Sequence, residues 1–286
     1  MITLNKQQVI TEQFPNNETK IKDFESIIKE NNLLEFTYRE DGDLIRLMFV
    51  KRRIEEISSD CILVMNYMPY SRMDRKIDGD LFTLQYICRF INELNFSRVY
   101  VIEPHSSKTI ELLERSEAIY PAQSWLPEIM SAMNFADNDR IVFPDKGAAS
   151  RYKDCDYKNI CIFEKTRNPL TGKIENMILK EGSLPQGAKC IIVDDLCSAG
   201  GTFAWAGSIL KDMGASDVRL VVTHCEPTIF SGKLLDGNSS IDLIYTSRSM
   251  MDTEHPKLNY LNVLSSENRG KVYFDYAESQ ETTNEF

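Results

Sequence analysis

Short apolar runs rich in β-branched residues alternate along the chain with segments whose apolar residues recur at helical spacing. Consecutive apolar residues are typical of strands buried on both faces of a parallel sheet, so these runs predict strands. The intervening segments predict amphipathic helices, because their apolar residues return every three or four positions. The predicted strands are residues 47–50, 61–65, 98–103, 140–143, 159–163, 189–193, 218–223 and 241–246. The predicted helices are residues 81–94, 106–115, 123–133, 201–213 and 229–235.

This alternation predicts an α/β fold of mainly parallel sheets flanked by helices, with right-handed crossovers. In such folds, ligands collect at the carboxyl ends of the strands. We place a boundary in the segment YPAQSW, which gives an N-terminal domain at residues 1–122 and a C-terminal domain at residues 123–286. The first 35 residues and the last dozen are polar and weakly patterned, so we expect them to be peripheral.

The segment KTRNPLTGKIENMI, residues 165–178, differs in kind from its surroundings. Asn-Pro and Thr-Gly turn signals separate two extended arms, which predicts a long exposed hairpin. Its cations Lys165, Arg167 and Lys173 stand out in so acidic a chain.

The composition is that of a globular protein with an acidic surface. The 286 residues include 33 Lys and Arg against 43 Asp and Glu, a formal net charge of −10. That charge argues against non-specific binding to nucleic acid or membranes, although a local cationic pocket can still hold an anionic substrate. No run approaches the roughly 18 apolar residues of a membrane span, and the N-terminus lacks a secretory signal pattern. We therefore expect a cytoplasmic protein without nucleic-acid or membrane partners.

Cysteine and histidine usage limits the metal chemistry. The seven cysteines form no CxxC pair and several lie in apolar runs, so we expect reduced, mostly buried thiols and no structural zinc site. The three histidines, His105, His224 and His255, are too few for a multi-histidine metal site. His255 precedes a proline in a polar loop and is expected at the surface.

The strongest local signal for chemistry is CIIVDDLCSAGGTF, residues 190–203. A buried strand ends in Asp194 and Asp195, and two glycines followed by Thr202 open the next helix. Glycines let the backbone close on an anion, which the free amides at a helix N-terminus then favour. The two carboxylates are suited instead to sugar hydroxyls or Mg²⁺ beside that anion. The alternative is an ordinary strand–turn–helix, with glycines for packing and the acids as caps.

This block resembles the ribose-phosphate loop of type I phosphoribosyltransferase folds. Between about residues 41 and 247, the chain is similar to one branch of them, the ribose-phosphate pyrophosphokinase (phosphoribosyl-diphosphate synthetase) family. Any one matching motif is weak, but five occur in the family's order and at predicted strand ends. The five are NYMPYSRMDRK at 66–76, EPHSS at 103–107, FPDKGAASRY at 143–152, FEKTR at 163–167 and THCEPTIFSGK at 223–233.

The resemblance implies two phosphoribosyltransferase-like domains that face each other across the active site, the N-terminal one shortened. Each would be a mainly parallel sheet flanked by helices. The resemblance also implies transfer of the diphosphoryl group of ATP to the anomeric 1-hydroxyl of a ribose phosphate, with release of AMP. With ribose 5-phosphate the product is phosphoribosyl diphosphate (PRPP), which serves nucleotide biosynthesis. Mg²⁺ is the implied cofactor, ATP the co-substrate and a homo-oligomer the implied assembly.

The family's functional residues carry over onto matching positions of this chain. Catalysis falls to Lys165 and Arg167, on a hairpin that would close over the reacting phosphate. Metal binding falls to His105 and Asp145. The implied ATP-binding residues are Arg72, Asp74, Arg75 and His105, and the implied sugar-phosphate-binding residues are Asp194, Asp195, Ser198, Ala199, Gly200, Gly201 and Thr202. Most of these residues also have a simpler interpretation, as surface charges, turn residues or helix caps.

Two departures from the family pattern bear on the acceptor. The family loop reads DDxxDTxGT, whereas Ser198 and Ala199 here replace its third Asp and first Thr. A hydrogen bond to a charged group is worth about 1.5–3 kcal/mol, so affinity for a terminal 5-phosphate should fall without that Thr. ADP-ribose carries an esterified, bulkier 5-phosphate, and the resemblance extends to a phage-encoded branch associated with its pyrophosphorylation in NAD salvage. Ribose 5-phosphate and ADP-ribose both stay open as acceptors.

Other departures concern ATP and assembly. Met73 stands where the family has a Gln beside the adenine, and Glu103 replaces the Asp before the metal-side histidine. The spacing between Asp41 and Tyr70 is about half that of the family, so roughly one strand–helix unit is reduced. That region makes subunit contacts in the family, and we therefore do not carry over hexamer assembly or its regulation.

Two rival functions stay open from the sequence. A phosphoribosyltransferase, which consumes the activated sugar, would share the acid pair and the glycine loop. It would leave unexplained His105, the hairpin that begins with Lys165, and the segment at residues 66–76 with Arg72 and Arg75, which we call the arginine arm. A catalytically silent partner that regulates a true synthetase would have no need of Lys165, Arg167, His105 and Asp145 at strand ends. A pyrophosphokinase accounts for all of these features.

Overall fold

The computed structural model describes residues 1–58, 60–76, 79–153, 157–168, 174–264 and 272, with the side chain of Arg167 outside that set. The chain divides into two compact units: the first is Met1–Ile119 with Val263–Phe286, and the second is Tyr120–Asn262. The described residues Val263, Leu264 and Val272 thus belong to the first unit, whereas the predicted ranges 1–122 and 123–286 assign them to the second.

Leu264 and Val272 give the physical reason for this division. Both are buried in one apolar cluster with Ile62, Tyr100 and Ile102 of the first unit. Burial of apolar side chains is the main favourable contribution to folding, so these contacts attach the returning segment to the first unit.

The first unit is built on a six-stranded sheet. In chain order its elements are β1 (Ile2–Leu4), β2 (Gln7–Gln8), β3 (Thr11–Gln13), β4 (Thr19–Ile21), β5 (Asn31–Phe36), α1 (Gly42–Glu55), β6 (Asp60–Met65), α2 (Thr83–Glu93), β7 (Arg98–Ile102), α3 (Lys108–Leu112) and β8 (Ser116–Ile119), with a 3-10 turn at Glu25–Ile27. The order is β2-β1-β5-β6-β7-β8, parallel from β5 to β8 and antiparallel at β1. β3 and β4 form a separate hairpin.

The centre of this sheet follows the predicted pattern. Residues 61–65 of β6 are all buried, as expected for a parallel strand between two neighbours. In α2 the buried residues Leu84, Cys88 and Ile91 are four and three positions apart, which places them on one helical face. The strand predicted at residues 61–65 and the helix predicted at 81–94 are thus confirmed.

The strand predicted at residues 47–50 is wrong, because this segment lies inside α1. Leu44, Leu47 and Val50 recur every three residues and are buried, whereas Phe49 in the same apolar run is 44% exposed. Four consecutive apolar residues concealed the helical period that these buried positions define.

The expectation that the first 35 residues are peripheral is also wrong. β1 and β5 pair within the main sheet, and Leu4, Leu33 and Leu34 are buried in its cores. Polar residues between these short strands weakened the apolar pattern, although β5 supplies a central strand of the unit.

The second unit is built on a seven-stranded sheet. In chain order its elements are α4 (Pro121–Ala132), β9 (Arg140–Phe143), α5 (Lys146–Arg151), β10 (Ile160–Arg167), β11 (Ile174–Glu181), β12 (Lys189–Cys197), α6 (Gly201–Asp212), β13 (Asp217–Cys225), a 3-10 turn (Pro227–Ser231), β14 (Leu243–Thr246) and β15 (Leu258–Tyr260). The order is β11-β10-β9-β12-β13-β14-β15, parallel throughout except that β11 is antiparallel to β10. The mainly parallel α/β architecture is confirmed in both units.

β10 and β11 form the hairpin predicted at residues 165–178. Lys165 pairs with Met177 across the two antiparallel strands. Residues 169–173, which include the predicted turn and Lys173, lie outside the described residues.

The helix predicted at residues 229–235 is replaced by the shorter 3-10 turn Pro227–Ser231. Gly232, which follows it, has an extended conformation and lies so close to Ala199 that a Cβ would be 1.9 Å from the Ala199 carbonyl oxygen. The chain leaves the helical path there because it packs against the loop that follows β12.

Parallel pairing brings several strand ends of the second unit to one edge of its sheet. β10, β9, β12 and β13 are successive neighbours, and Asp145 follows β9 while Asp194 and Asp195 lie near the end of β12. In the first unit, β6 and β7 are parallel neighbours, so the segments after Met65 and Ile102 also begin at one edge.

Within the described part of the chain, no helix is long and apolar enough to cross a membrane. The six described cysteines are buried free thiols, as predicted, and Cys155 lies outside the described residues. Burial raises the pKa of Cys61 and of Cys190 to about 12, so these thiols are poor nucleophiles.

Candidate active site

The loop between β12 and α6 has the backbone of an anion-binding site. Gly200, the N-cap of α6, has a φ of +80°, a left-handed conformation that favours glycine. A Cβ there would also lie 2.2 Å from Leu234 Cδ1, so space as well as conformation requires glycine. Gly201 and Thr202 then begin α6, whose first-turn amides lack partners inside the helix and favour a bound phosphate.

The segment after β13 holds this loop in place. Ser198 Oγ lies 3.0 Å from Thr228 Oγ1 of the 3-10 turn, and Gly232 packs against the Ala199 carbonyl. The Ser198 hydroxyl is therefore already hydrogen-bonded to Thr228, and the Ala199 side chain has no polar atom. At these two positions the loop offers a phosphate its backbone amides rather than side-chain hydroxyls.

Asp194 and Asp195 form an acid pair on β12, in which Asp195 is buried and Asp194 is partly buried, and Arg151 of α5 binds both. Arg151 Nη1 lies 3.0 Å from Asp194 Oδ1 and 3.3 Å from Asp195 Oδ1. Burial and then the charge of Asp195 raise the pKa of Asp194 well above its ordinary value, and the Arg151 guanidinium opposes that rise. Arg151 thus favours the ionised form of the pair and fixes its orientation.

Replacing Arg151 with leucine is expected to lower stability more at pH 8 than at pH 5. Without the guanidinium the pKa of Asp194 rises further, whereas the unfolded chain still releases that proton near pH 4. A raised folded-state pKa stabilises the protein only at low pH, and that contribution is lost as the pH rises through the folded-state value. Breaking a buried pair costs about 3–5 kcal/mol at most. Thermal unfolding of both proteins across this range measures the effect, and a pH-independent difference in Tm would contradict it.

Asp145, which follows β9, lies beside Lys165 of the neighbouring strand β10. Asp145 is the N-cap of α5, and its Oδ1 accepts a hydrogen bond from the Ala148 amide at 2.9 Å. Its Oδ2 lies 2.6 Å from Lys165 Nζ. Burial opposes ionisation of Asp145, but the hydrogen bond and charge of Lys165 help to bring its pKa below the ordinary value. A predicted metal ligand and a predicted catalytic cation therefore neutralise each other in this conformation.

The chemistry of Asp145 fits Mg²⁺, provided that Lys165 moves away. Carboxylate oxygens are the ligands this ion prefers, and Mg²⁺ keeps several waters, so one or two protein ligands suffice. Among the described residues, no group of three or more His, Cys, Asp or Glu side chains has a metal-binding arrangement. His105, the other predicted ligand, is half-buried in the first unit.

The arginine arm of the first unit follows β6 and is open to solvent. Arg72 and Arg75 are exposed, and the Arg75 side chain is 77% exposed. The Asp74 side chain is 18% exposed and lies 4.0 Å from Arg75 Nε. This arrangement leaves the arm able to bind a large anion such as a nucleotide triphosphate.

Asp41 stabilises the turn at the start of this arm through two tyrosine hydroxyls. The hydroxyls of Tyr38 and Tyr70 both donate hydrogen bonds to Asp41 Oδ1, and these bonds lower the pKa of Asp41. Tyr70 also has a φ of +61°, an uncommon conformation for a residue with a side chain. The Asp41 carboxylate thus holds the turn from which the arm starts.

His105 follows the neighbouring strand, β7. Glu103 lies between the end of β7 and His105, is 2% exposed and has a φ of +44°. Its amide donates a hydrogen bond to the Ile119 carbonyl, which continues the hydrogen bonding between β7 and β8. Strained backbone of this kind clusters at ligand sites. Because β6 and β7 are parallel neighbours, the arm and His105 leave the sheet at the same edge.

No family model matches the chain. Over 222 residues it is 28% identical to the ribose-phosphate pyrophosphokinase of Sulfolobus acidocaldarius, covering 74% of each chain. Over 234 residues it is 29% identical to the protein of that name from Pyrococcus abyssi, covering 77% of each. The chain is thus similar, over most of its length, to proteins named ribose-phosphate pyrophosphokinase.

The fold agrees with this similarity. The crystal structure of phosphoribosylpyrophosphate synthetase from Mycobacterium smegmatis matches with a TM-score of 0.76 at 17% identity, covering 93% of this chain and 91% of that one. The fold prediction of two phosphoribosyltransferase-like units is thereby confirmed.

Each unit of the chain contains its own share of the predicted site residues. The second unit brings together the acid pair, the α6 loop and the Asp145–Lys165 pair at one sheet edge. The first unit places the arginine arm and His105 after neighbouring strands. Arg167 ends β10, and its side chain lies outside the described residues.

Sequence reasoning missed several residues that hold this site together. Arg151, Thr228 and Gly232 lay inside motifs that we quoted, yet nothing in their spacing assigned them a partner. Asp41 was used only to measure the shortened spacing to Tyr70. Their roles depend on contacts between elements distant in the chain, such as that between Arg151 and Asp194, which are 43 positions apart.

Proposed function

We propose that this protein transfers the diphosphoryl group of ATP to the anomeric 1-hydroxyl of a ribose-5-phosphate moiety and releases AMP. Its relatives named ribose-phosphate pyrophosphokinase support an ATP-dependent diphosphotransferase. The observation that carries the proposal is that the loop before α6, the Asp194–Asp195 pair and Lys165 all lie at one sheet edge.

The acceptor sugar would bind through its 5-phosphate and through its ribose hydroxyls. The amides at the start of α6, with Thr202, would bind the 5-phosphate, because the helix N-terminus favours negative charge. Asp194 and Asp195 would accept hydrogen bonds from the ribose hydroxyls, since carboxylates repel a phosphate but accept from hydroxyl donors. Arg151 would hold these acids in position.

ATP would bind through the first unit. Arg72 and Arg75 would pair with its phosphates. Asp74 and His105 are the other two predicted ATP-binding residues. The oxygen of the sugar 1-hydroxyl would then attack the β-phosphorus of ATP. The bond from that phosphorus to the oxygen it shares with the α-phosphorus breaks, AMP leaves with the electron pair, and the hydroxyl proton is released.

Lys165 and Arg167 would stabilise the charge that develops on the transferring group. Such reactions depend on positioning and on cations around the phosphoryl oxygens. For this role, Lys165 must first break its ion pair with Asp145 and then bind the transferring group. Asp145 and His105 would hold Mg²⁺, which when bound neutralises phosphate charge.

The loop itself favours an esterified 5-phosphate as a second candidate acceptor. A terminal phosphate carries close to two negative charges, whereas the 5-phosphate in ADP-ribose, which is joined to AMP by an anhydride bond, carries one. Ser198 is engaged by Thr228 and Ala199 offers no donor, so the loop has fewer hydrogen-bond donors for the more highly charged group. ADP-ribose would then yield its 1-diphosphate.

AMP formation with each acceptor tests the proposal. Purified protein with ATP and Mg²⁺ should form AMP with ribose 5-phosphate, ADP-ribose or both, at a rate that depends on acceptor concentration. The preferred acceptor is the one with the higher kcat/KM. No AMP with either acceptor would overturn the proposal and favour the silent regulatory partner. Self-association remains a prediction that sedimentation velocity can measure.

A further inference from the structure

Glu226 begins the segment that packs against the loop before α6. Its amide donates a hydrogen bond to the Cys197 carbonyl at 2.8 Å, which continues the pairing of β12 with β13. Pro227 follows it, and a residue before proline is restricted to extended backbone, in agreement with the Glu226 φ of −78° and ψ of +150°. The backbone of Glu226 is therefore fixed opposite Cys197, the residue that precedes Ser198.

Three side chains form a chain of hydrogen bonds that ends in this loop. Thr228 Oγ1 donates to Glu226 Oε2 at 3.3 Å, and the same Thr228 Oγ1 lies 3.0 Å from Ser198 Oγ. An ionised carboxylate only accepts hydrogen bonds, and a hydroxyl has one proton to donate. Because Thr228 gives its proton to Glu226, Ser198 must donate the bond between the two hydroxyls. The carboxylate thus sets the direction of both bonds.

The direction of this chain decides what Ser198 can offer a ligand. Its one proton is donated to Thr228, so its oxygen retains only lone pairs for other partners. Ser198 belongs to the loop that would bind the acceptor phosphate, two positions before Gly200, the N-cap of α6. A fully ionised phosphate presents only acceptor oxygens. Such a phosphate can therefore take a hydrogen bond from Ser198 only if the bond to Thr228 breaks.

We infer that Glu226 and Thr228 are specificity-determining residues that weaken binding of the acceptor phosphate, because they keep the Ser198 proton from it. This role rests on the proposed function, which assigns the loop to the 5-phosphate of the acceptor. Both residues lie outside the predicted sugar-phosphate-binding set. Loss of a merely structural contact would weaken binding, whereas loss of this hydrogen-bond chain should tighten it.

Replacing Thr228 with valine tests this role, because valine has nearly the same size and the Glu226 carboxylate stays in place. The freed Ser198 hydroxyl can then donate to the phosphate, and a hydrogen bond to a charged group corresponds to roughly ten- to one-hundredfold in affinity. Isothermal titration calorimetry with ribose 5-phosphate, Mg²⁺ and the non-cleavable analogue α,β-methylene ATP should show a Kd about tenfold lower than in the native protein. Thr253→Val, the same change at another exposed threonine of the second unit, is the matched control and should leave Kd unchanged.

Two further variants identify the groups involved. Thr228→Val combined with Ser198→Ala should lose the gain in affinity, because the freed donor is then absent. Glu226→Gln should also lower Kd, since a neutral amide can donate to Thr228 and reverse the chain. Asp212→Asn removes a carboxylate at the other end of α6, about 16 Å from its first residue, and controls for the change in net charge.

The outcomes separate this role from the proposed function. An unchanged or higher Kd for Thr228→Val overturns the role, and so does a lower Kd that persists when Ser198→Ala is added. The role is also wrong if ribose 5-phosphate binds neither the native protein nor Thr228→Val. AMP formation is measured apart from binding. If Thr228→Val binds ribose 5-phosphate more tightly but no AMP forms with either acceptor, the diphosphotransferase is wrong and the role of Thr228 stands.

Discussion

Replacing Lys165 with alanine is expected to lower kcat by about 10³-fold while leaving the protein folded. A cation that neutralises a transferring phosphoryl group contributes rate factors of this order. The Lys165 side chain is only 15% exposed and already lies 2.6 Å from Asp145, so its position is well defined. Single-turnover measurements at saturating ATP and acceptor isolate this step from substrate binding.

The matched control is Lys180→Ala on the opposite strand of the same hairpin. Lys180 Nζ lies 3.2 Å from Glu164 Oε2, and its side chain is 49% exposed. An exposed ion pair contributes little stability, so this variant should keep the activity of the native protein. Equal activity of Lys165→Ala and Lys180→Ala would contradict a catalytic role for Lys165.

The Lys165→Ala variant should also show a distinctive dependence of stability on pH. In the native protein Lys165 helps to hold the pKa of Asp145 below its ordinary value. A lowered carboxyl pKa stabilises the folded state above the unfolded-state value of about 4, and this contribution is lost as the pH falls through the folded-state pKa. The Tm difference between native and variant protein should therefore be present at pH 7 and shrink below pH 4.

Replacing Gly232 with alanine is expected to lower kcat/KM for the acceptor by about 10²-fold. The added Cβ would lie 1.9 Å from the Ala199 carbonyl oxygen, so either Gly232 or the phosphate loop must move. Displacement of a substrate-positioning element by about 1 Å typically costs a factor of this size. Overpacking should also lower the free energy of unfolding by about 1–3 kcal/mol.

Gly237→Ala is the control for this substitution. A Cβ at Gly237 would meet no atom within 4 Å, so this variant should match the native protein in both stability and activity. Steady-state kinetics and chemical denaturation measure both quantities. Wild-type kcat/KM in Gly232→Ala would show that the phosphate loop does not depend on this contact.

Local pattern predicted those parts of the molecule whose structure depends on residues close in sequence. The run at residues 61–65 forms a buried central strand, and the glycine loop before α6 follows a buried strand as expected. The turn signals at residues 165–178 correctly predicted a hairpin. In α1, by contrast, the run at residues 47–50 obscured a three-residue period that spans a longer window.

Tertiary contacts decided the rest. Ser198 and Thr228 are in contact because the strands that precede them, β12 and β13, are adjacent in the sheet. Their separation along the sequence does not predict this hydrogen bond. The return of Val272 to the first unit depends likewise on an apolar surface that the sheet creates. Candidate chemistry was predictable from strand-end residues, whereas the side chains that orient it required the structure.

Phosphorus NMR of a reaction containing ATP, Mg²⁺ and acceptor tests the central claim most directly. Transfer of the diphosphoryl group as one unit predicts that the ATP signals are replaced by those of AMP and of a diphosphate ester on the sugar 1-position, in equal amounts. Lys165→Ala should show neither product on the same timescale. Formation of ADP with a sugar monophosphate, or release of inorganic phosphate without a sugar diphosphate, would contradict the proposed reaction.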